Sequence, residues 1–209
     1  MIRRHFQLRE TIVTIIAARE SEIKAAIAAI QHHRQELESF IIKDPFFMTT
    51  LEPYRVEIDD PPLIVEKMVE ASRKVGCGPM AAVAGTIAEL ARAAMVEEGA
   101  SYAVVDNGGD IALTSDRVMN VGIYAGGSVI RDLAFEIEPT PLLGICTSSA
   151  TVGPSISFGV ADAACVISPD VSLADAAATV LGNAVRLEYD IEEAFSVVKD
   201  ISGIEGALI

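Results

Sequence analysis

Asp175 and Thr179 stand four residues apart in the run Ser172-Leu-Ala-Asp-Ala-Ala-Ala-Thr179. In a helix that spacing brings both side chains to one face, with Cβ atoms about 5–6 Å apart. A carboxylate and a hydroxyl are both oxygen donors, which suits a hard cation such as Mg²⁺. The small residues Ala176, Ala177 and Ala178 would let a second backbone or a ligand come close. The same residues also have a purely structural reading. Ser172 or Asp175 would then cap or charge the first helical turn, and Thr179 would bond back to its own backbone.

Two loops could supply a ligand's other contacts. Asn107-Gly-Gly-Asp110 lies between the apolar runs Tyr102–Asp106 and Ile111–Thr114, and Asn-Gly in that setting signals a hairpin. Its glycines also bare backbone donors beside Asn107 and Asp110. Further on, residues 147–159 carry six hydroxyls, at Thr147, Ser148, Ser149, Thr151, Ser155 and Ser157, and almost no charge. Such a stretch is a surface turn or a contact for phosphate or ribose. A third segment, Gly76-Cys-Gly-Pro-Met-Ala81, has the outline of a dinucleotide fingerprint. That fingerprint must follow a strand, and here a helical pattern precedes it. Gly76 is better read as ending one helix and Pro79 as opening the next, whose free N–H groups form a plausible anion seat.

Composition narrows the chemistry. A formal charge of −14 over 209 residues argues against binding a nucleic-acid backbone or an anionic membrane. All the histidines, His5, His32 and His33, fall in the first 33 residues, far along the chain from the hydroxyl-rich loop, so a Ser-His-Asp or Cys-His arrangement is weakly supported. Adjacent His32 and His33 do not share a helix face and read as surface residues. Cys77, Cys146 and Cys165 form no CxxC pair, and no phosphate-loop Gly-Lys occurs. With no apolar leader at Arg3-Arg4 and no uninterrupted apolar run of membrane-spanning length, a cytoplasmic protein is expected.

The elements that must position these residues follow from periodicity. Thr11-Ile-Val-Thr-Ile-Ile16 is β-branched and, with the alternation before it, predicts a strand pair or one long bent strand over 5–18. Ile23, Ile27, Ile30, Leu37 and Ile41 predict a helix over 20–43, with Glu22 facing water and Arg34 either paired to an acid or at the edge of the apolar seam. A short strand is expected at Tyr54–Ile58, and helices at Leu63–Lys74 and from Pro79 to Glu97. A hairpin of Arg117–Tyr124 with Ser128–Glu138 follows. Leu143–Cys146 is expected at the sheet edge and Ala163–Ser168 as a buried strand. Helices over Ser172–Leu187 and Ile191–Ile201 close the chain. Helices alternating with hairpins indicate an α+β fold, one domain over 1–209 with the N-terminal strands and long helix of 1–44 packed on it.

Val104-Val-Asp-Asn-Gly-Gly-Asp-Ile111 resembles the N-x-G-G-[DN]-I segment of the ApbE-type flavin transferases. Leu173-Ala-Asp-Ala-Ala-Ala-Thr-Val180 resembles their A-D-A-L-A-T helix, and Cys146-Thr-Ser-Ser149 their T-S-G loop. Together with Gly78-Pro-Met-Ala-Ala-Val-Ala-Gly85 and Gly153-Pro-Ser155, the motifs resemble an uncharacterised family within the ApbE-like superfamily, over nearly the whole chain. The resemblance implies a single ApbE-like domain that binds FAD with Mg²⁺ and transfers FMN to a protein Ser or Thr. By the same resemblance the metal ligands are Asp175, Thr179 and the backbone carbonyl of Ala81. The cofactor would be held by Asn107, Gly108, Gly109, Asp110, Thr147, Ser148 and Ser149. Two family features are missing: Ser157–Asp162 lacks the His of the corresponding transferase segment, and Ala82, Val83 and Ala84 replace a K-G-Y. The alternative is therefore a catalytically inactive module that binds a flavin, nucleotide or other small anion as a sensor or scaffold. The alanine-rich helices could also serve a homodimer.

Overall fold

The structure, a computed structural model, describes residues 1–130, 132–152 and 157–209. Strands β1 (Ile2–Leu8) and β2 (Thr11–Ala17) form the first hairpin, in register from Ile2↔Ala17 to Leu8↔Thr11. On β2 the alternation works as expected: Val13, Ile15 and Ala17 are buried while Ile12 faces solvent. Helix α1 (Glu20–Lys43) follows. Its seam of Ile23, Ile30, Leu37 and Phe40 is buried, each side chain contributing about 1.5–3 kcal/mol. Packing therefore holds this helix more than propensity does.

Two expectations for α1 resolve differently. Arg34 pairs with Glu10 at 2.8 Å and Glu38 at 3.1 Å, as anticipated. Glu22, expected in water, is buried at 1% exposure. Its carboxylate accepts from the backbone N–H groups of Ala18 and Arg19 and from Arg19 Nε at 2.8–2.9 Å. An acid in the first turn of a helix meets unpaired N–H donors, which explains its turning inward.

A short helix α2 (Phe46–Thr49) leads into the Pro-containing connection. No strand forms at Tyr54–Ile58. Tyr54 is instead an anchor: it packs edge-on against Phe47, and its hydroxyl donates to Asp44. Helix α3 (Leu63–Val75) ends at Gly76, whose φ of +79° is the left-handed cap that glycine accommodates best. A 3₁₀ turn (Pro79–Ala82) then feeds helix α4 (Val83–Glu97). The Gly76–Ala81 segment thus joins two helices, as anticipated. Pro79–Glu97 is the one stretch among the described residues long and apolar enough to cross a membrane. Here it is a core helix, lying between α1, α5 and the sheet.

The remaining strands are β3 (Ala103–Asn107), β4 (Asp110–Ser115), β5 (Met119–Gly122), β6 (Ala134–Ile137), β7 (Thr140–Ser148), β8 (Ala164–Ser168) and β9 (Gly206–Leu208). One seven-stranded sheet runs β1-β2-β3-β4-β7-β8-β9, with every neighbour antiparallel. The segment Leu143–Cys146, expected at an edge, lies inside it between β4 and β8. Nothing local marks this, because its partners stand 20 to 34 residues away in the chain. The expected 117–138 hairpin contracts to Met119–Gly122 paired with Ala134–Ile137, which form a separate two-stranded sheet. Helix α5 (Val171–Ala184) ends before Leu187. The predicted final helix breaks into α6 (Ile191–Ala194) and a 3₁₀ turn, after which β9 closes the sheet.

The helices cover one face of the large sheet, and the β5–β6 ribbon covers part of the other. The second face has its own apolar cluster of Val104, Leu113, Val121, Ile137, Leu143 and Ile145. Burial on both faces explains why the middle of β4 and β7 is apolar without alternation.

Candidate functional site

The β3–β4 hairpin turns through Gly108 and Gly109 with φ of +71° and +106°. Positive φ at both central residues is the type I′ arrangement that matches strand twist, and glycine takes it without steric cost. The turn is fixed by Asp106, whose Oδ1 accepts from Gly109 N at 2.9 Å. Its flanks, Asn107 and Asp110, are register partners on the helix-facing side. Asn107 Nδ2 donates to the Ala84 carbonyl of α4 at 3.0 Å, tying the turn to that helix.

Asp175 comes to the same place from α5. It is buried at 7% exposure, and its Oδ2 accepts from Gly85 N at 2.7 Å. Gly85 is glycine for a packing reason. A Cβ there would lie 2.7 Å from Asp175 Cβ and 2.8 Å from the Val171 carbonyl. The first turn of α5 is capped neither by Ser172 nor by Asp175. Asp170 caps it, accepting from Leu173 N at 3.0 Å, because it stands at the extended residue before the helix. Ser172 instead bonds Glu89 and Thr86 of α4, which locks the two helices together.

Asp110, Asp175 and Cys146 interact closely. Burial pushes the Asp110 carboxyl up to about 7, with Asp106 adding to the rise and the Cys146 thiol and Thr147 backbone opposing it. Burial and the Asp110 charge hold Asp175 well above the usual carboxylate range, against the N–H groups of Gly85 and Ala84. Burial and the same two carboxylates push up the Cys146 thiol. Among the described residues, no Lys, Arg or His contributes to the Asp110 or Asp175 shift. Two acids facing each other in this way favour protonation or a bound cation.

Thr179 is one turn beyond Asp175 and half-buried. One further step along α5, a Cβ on Gly182 would stand 3.2 Å from Ser148 Oγ. Helical spacing therefore places Thr179 on the stretch of α5 that runs from the Asp110–Asp175 pair toward Ser148. Ala81 lies half-buried in the 3₁₀ turn that leads into α4.

The other predicted residues point the opposite way. Gly108, Gly109, Thr147 and Ser149 line a cavity of about 290 Å³ on the far face of the sheet, beneath the β5–β6 ribbon. Asp106, Ile111, Phe135 and Ile145 also line it. Thr147 Oγ1 lies 3.1 Å from Cys165 Sγ. Ser149 Oγ accepts from the N–H groups of Thr151 and Val152 at 3.1 and 2.9 Å, holding the loop in a tight turn. Of the hydroxyl loop, Gly153-Pro-Ser155 falls outside the described residues. The sequence motifs thus gather at one end of the sheet but divide between its faces: acids and helix contacts on one, a small cavity on the other. Sequence reasoning assigned no role to Asp106, Cys146 or Gly85. All three stood within segments that carry the resemblance, so membership of those segments was the available signal.

The seven-stranded antiparallel sheet with helices on one face is a fold shared with solved ApbE flavin transferases. The fold matches apo flavinyl transferase ApbE of Pseudomonas stutzeri at TM-score 0.60, with 11% identity, covering 95% of this chain and 88% of that one. It matches a mutant flavin transferase ApbE of Vibrio cholerae at TM-score 0.57, with 12% identity over 99% and 96%. The family model described as "AbpE bacteria" matches residues 2–200, and the chain belongs to that family. Among its relatives are UPF0280 proteins of Methanosarcina acetivorans, 57% identical over 100% of this chain and 83% of the relative, and of Archaeoglobus fulgidus, 45% identical over 100% and 88%.

Proposed function

We propose that this protein binds FAD together with Mg²⁺ at the Asp110–Asp175 end of the sheet and transfers FMN to a Ser or Thr hydroxyl of an acceptor protein. The carrying observation is the buried Asp175 carboxylate beside the half-buried Asp110, each pushed upward with no cationic side chain among the described residues contributing. That donor set fits a hard divalent ion. Asp175 and Asp110 would hold it, with Thr179 and the Ala81 carbonyl as further oxygen donors. When bound, Mg²⁺ would offset the negative charge of the FAD pyrophosphate.

The chain's own groups have separate tasks in this reading. The Gly85 N–H keeps one Asp175 oxygen fixed, leaving the other for the ion. The Asn107–Ala84 bond holds the glycine turn in place, so that Gly108 and Gly109 can bring backbone close to a phosphate. The cavity walls of Ile111, Phe135 and Ile145 offer apolar surface to part of the ligand. In transfer, the acceptor oxygen would bond to the FMN phosphorus as the pyrophosphate P–O bond breaks. AMP would leave and the hydroxyl proton would pass to solvent.

One observation favours a second reading, a flavin or nucleotide binder that does not turn over. The three histidines sit on β1 and α1, and none contributes to the shifts of the acid pair. Incubation with FAD, Mg²⁺ and a Ser/Thr acceptor peptide, followed by chromatography for AMP, separates the two. AMP appearing with wild type and absent with Asp175→Ala supports transfer. Stoichiometric FAD binding without AMP contradicts it and supports the binder.

A further inference from the structure

Away from the acid-paired end, His32, His33 and Glu36 on α1 bring their ligating atoms within 4.8 Å of one another. Adjacent residues on a helix diverge by about 100°, which is why the two histidines look unrelated in sequence. Glu36 resolves the divergence. It lies four residues after His32 and three after His33, about one turn on, and so is a neighbour of both. His33 Nδ1 is 2.8 Å from Glu36 Oε2, and His32 Nε2 is 3.5 Å from Oε1. The ring centroids are 4.9 Å apart. His33 is well packed, at 16% side-chain exposure, whereas His32 is open at 66% and free to turn.

The surroundings favour a cation. His32 and Glu36 open onto a groove of about 840 Å³ that also bears Asp44, Glu57, Asp59 and Asp60. Against these carboxylates, Lys43 is the only Lys or Arg among the described lining residues. Two imidazole nitrogens and a carboxylate oxygen make a mixed N/O donor set, suited to Zn²⁺ and its first-row neighbours rather than to Mg²⁺.

We propose that His32, His33 and Glu36 form a site for a borderline divalent transition metal, Zn²⁺ foremost, whose remaining coordination positions face the groove. Metal–ligand distances of about 2.0–2.2 Å require the ligating atoms to draw together slightly, and the exposed His32 ring can supply that movement. The inference is independent of the flavin reading: it uses other residues on another element and a different class of ion.

The test is calorimetric titration of the full chain with Zn²⁺, with Co²⁺ visible absorption as a ligand-sensitive readout. One Zn²⁺ per chain is expected, retained in Asp175→Ala and weakened at least about tenfold in both His33→Ala and Glu36→Gln. Far-UV circular dichroism checks that both variants keep α1, and His32→Gln, at an exposed position, gives a further variant expected to bind more weakly. Unchanged affinity in His33→Ala or Glu36→Gln would overturn the proposal. So would loss of Zn²⁺ binding in Asp175→Ala alone, or wild-type binding no tighter than about 0.1 mM.

Discussion

The N–H of Gly85 on α4 donates to Oδ2 of Asp175 on α5 at 2.7 Å, across a helix contact so close that a Cβ on Gly85 would meet Asp175 Cβ at 2.7 Å. Helix packing and the orientation of the acid are therefore one constraint. Gly85→Ala forces the helices apart, and overpacking of this kind costs about 1–3 kcal/mol. The expected outcome is a lower thermal midpoint together with weaker Mg²⁺-dependent FAD binding, measured by thermal denaturation and calorimetry on the same sample. Full stability with intact binding would show that the contact does not position the acid.

The raised Asp110 carboxyl gives a pH dependence of definite sign. Its folded value, about 7, lies above the ordinary 3.8, so the folded state holds the proton more tightly than the unfolded chain. Its contribution to stability is present below about pH 4 and is lost as pH rises toward 7. At pH 8, Asp110→Asn should therefore stabilise the metal-free protein, by something on the order of 1 kcal/mol, and flatten this pH slope. It should also abolish the gain in stability that Mg²⁺ is expected to give the wild type. Denaturant titrations at pH 5 and pH 8, with Mg²⁺ or with chelator, measure each effect.

Glu22 has the opposite sign. Burial raises its pKa, but the Arg19 backbone N–H and side chain and the Ala18 N–H outweigh that and hold it below 4.5. Its stabilisation is present above 4.5 and is lost as pH falls through the lower folded value. Glu22→Gln should cost about 1–2 kcal/mol at pH 7, in line with loss of a helix cap, and much less at pH 3. A cost independent of pH would assign the effect to packing instead of charge.

The cavity beneath β5–β6 can be tested without touching the acids. Thr147 of β7 lines it, half-buried, with its hydroxyl 3.1 Å from Cys165 Sγ. Thr147→Met, which puts a flexible apolar chain into that space, should leave the thermal midpoint within about 2–4 °C of wild type, roughly 1 kcal/mol for a chain of this size. It should weaken FAD binding about tenfold or more, a change of at least about 1.4 kcal/mol. Unaltered FAD affinity would remove this cavity from the binding site.

Much of this architecture was legible from the sequence, and the limits have physical causes. The α1 seam, the Gly108–Gly109 turn, the Gly76 cap and the Asp175–Thr179 helix each rest on local chemistry. Long-range pairing does not. Residues 143–146 look like any apolar strand whether at an edge or in the middle, and β9 is too short to announce itself. Glu22 and Ser172 were misjudged for a related reason: a polar side chain near a helix start can face water, cap its own helix or bond another one. Only the tertiary arrangement decides. The facing of Asp110 and Asp175 likewise depends on α5 meeting the β3–β4 hairpin, which no spacing encodes.

The most direct measurement is calorimetric titration of FAD into the purified protein, once with Mg²⁺ and once with chelator, alongside Asp175→Ala. Saturable binding of one FAD per chain that requires Mg²⁺ and disappears in Asp175→Ala is the predicted result. Absence of FAD binding, or equal FAD affinity in all three samples, would contradict the assignment of Asp110 and Asp175 as the cation-holding pair of a flavin site.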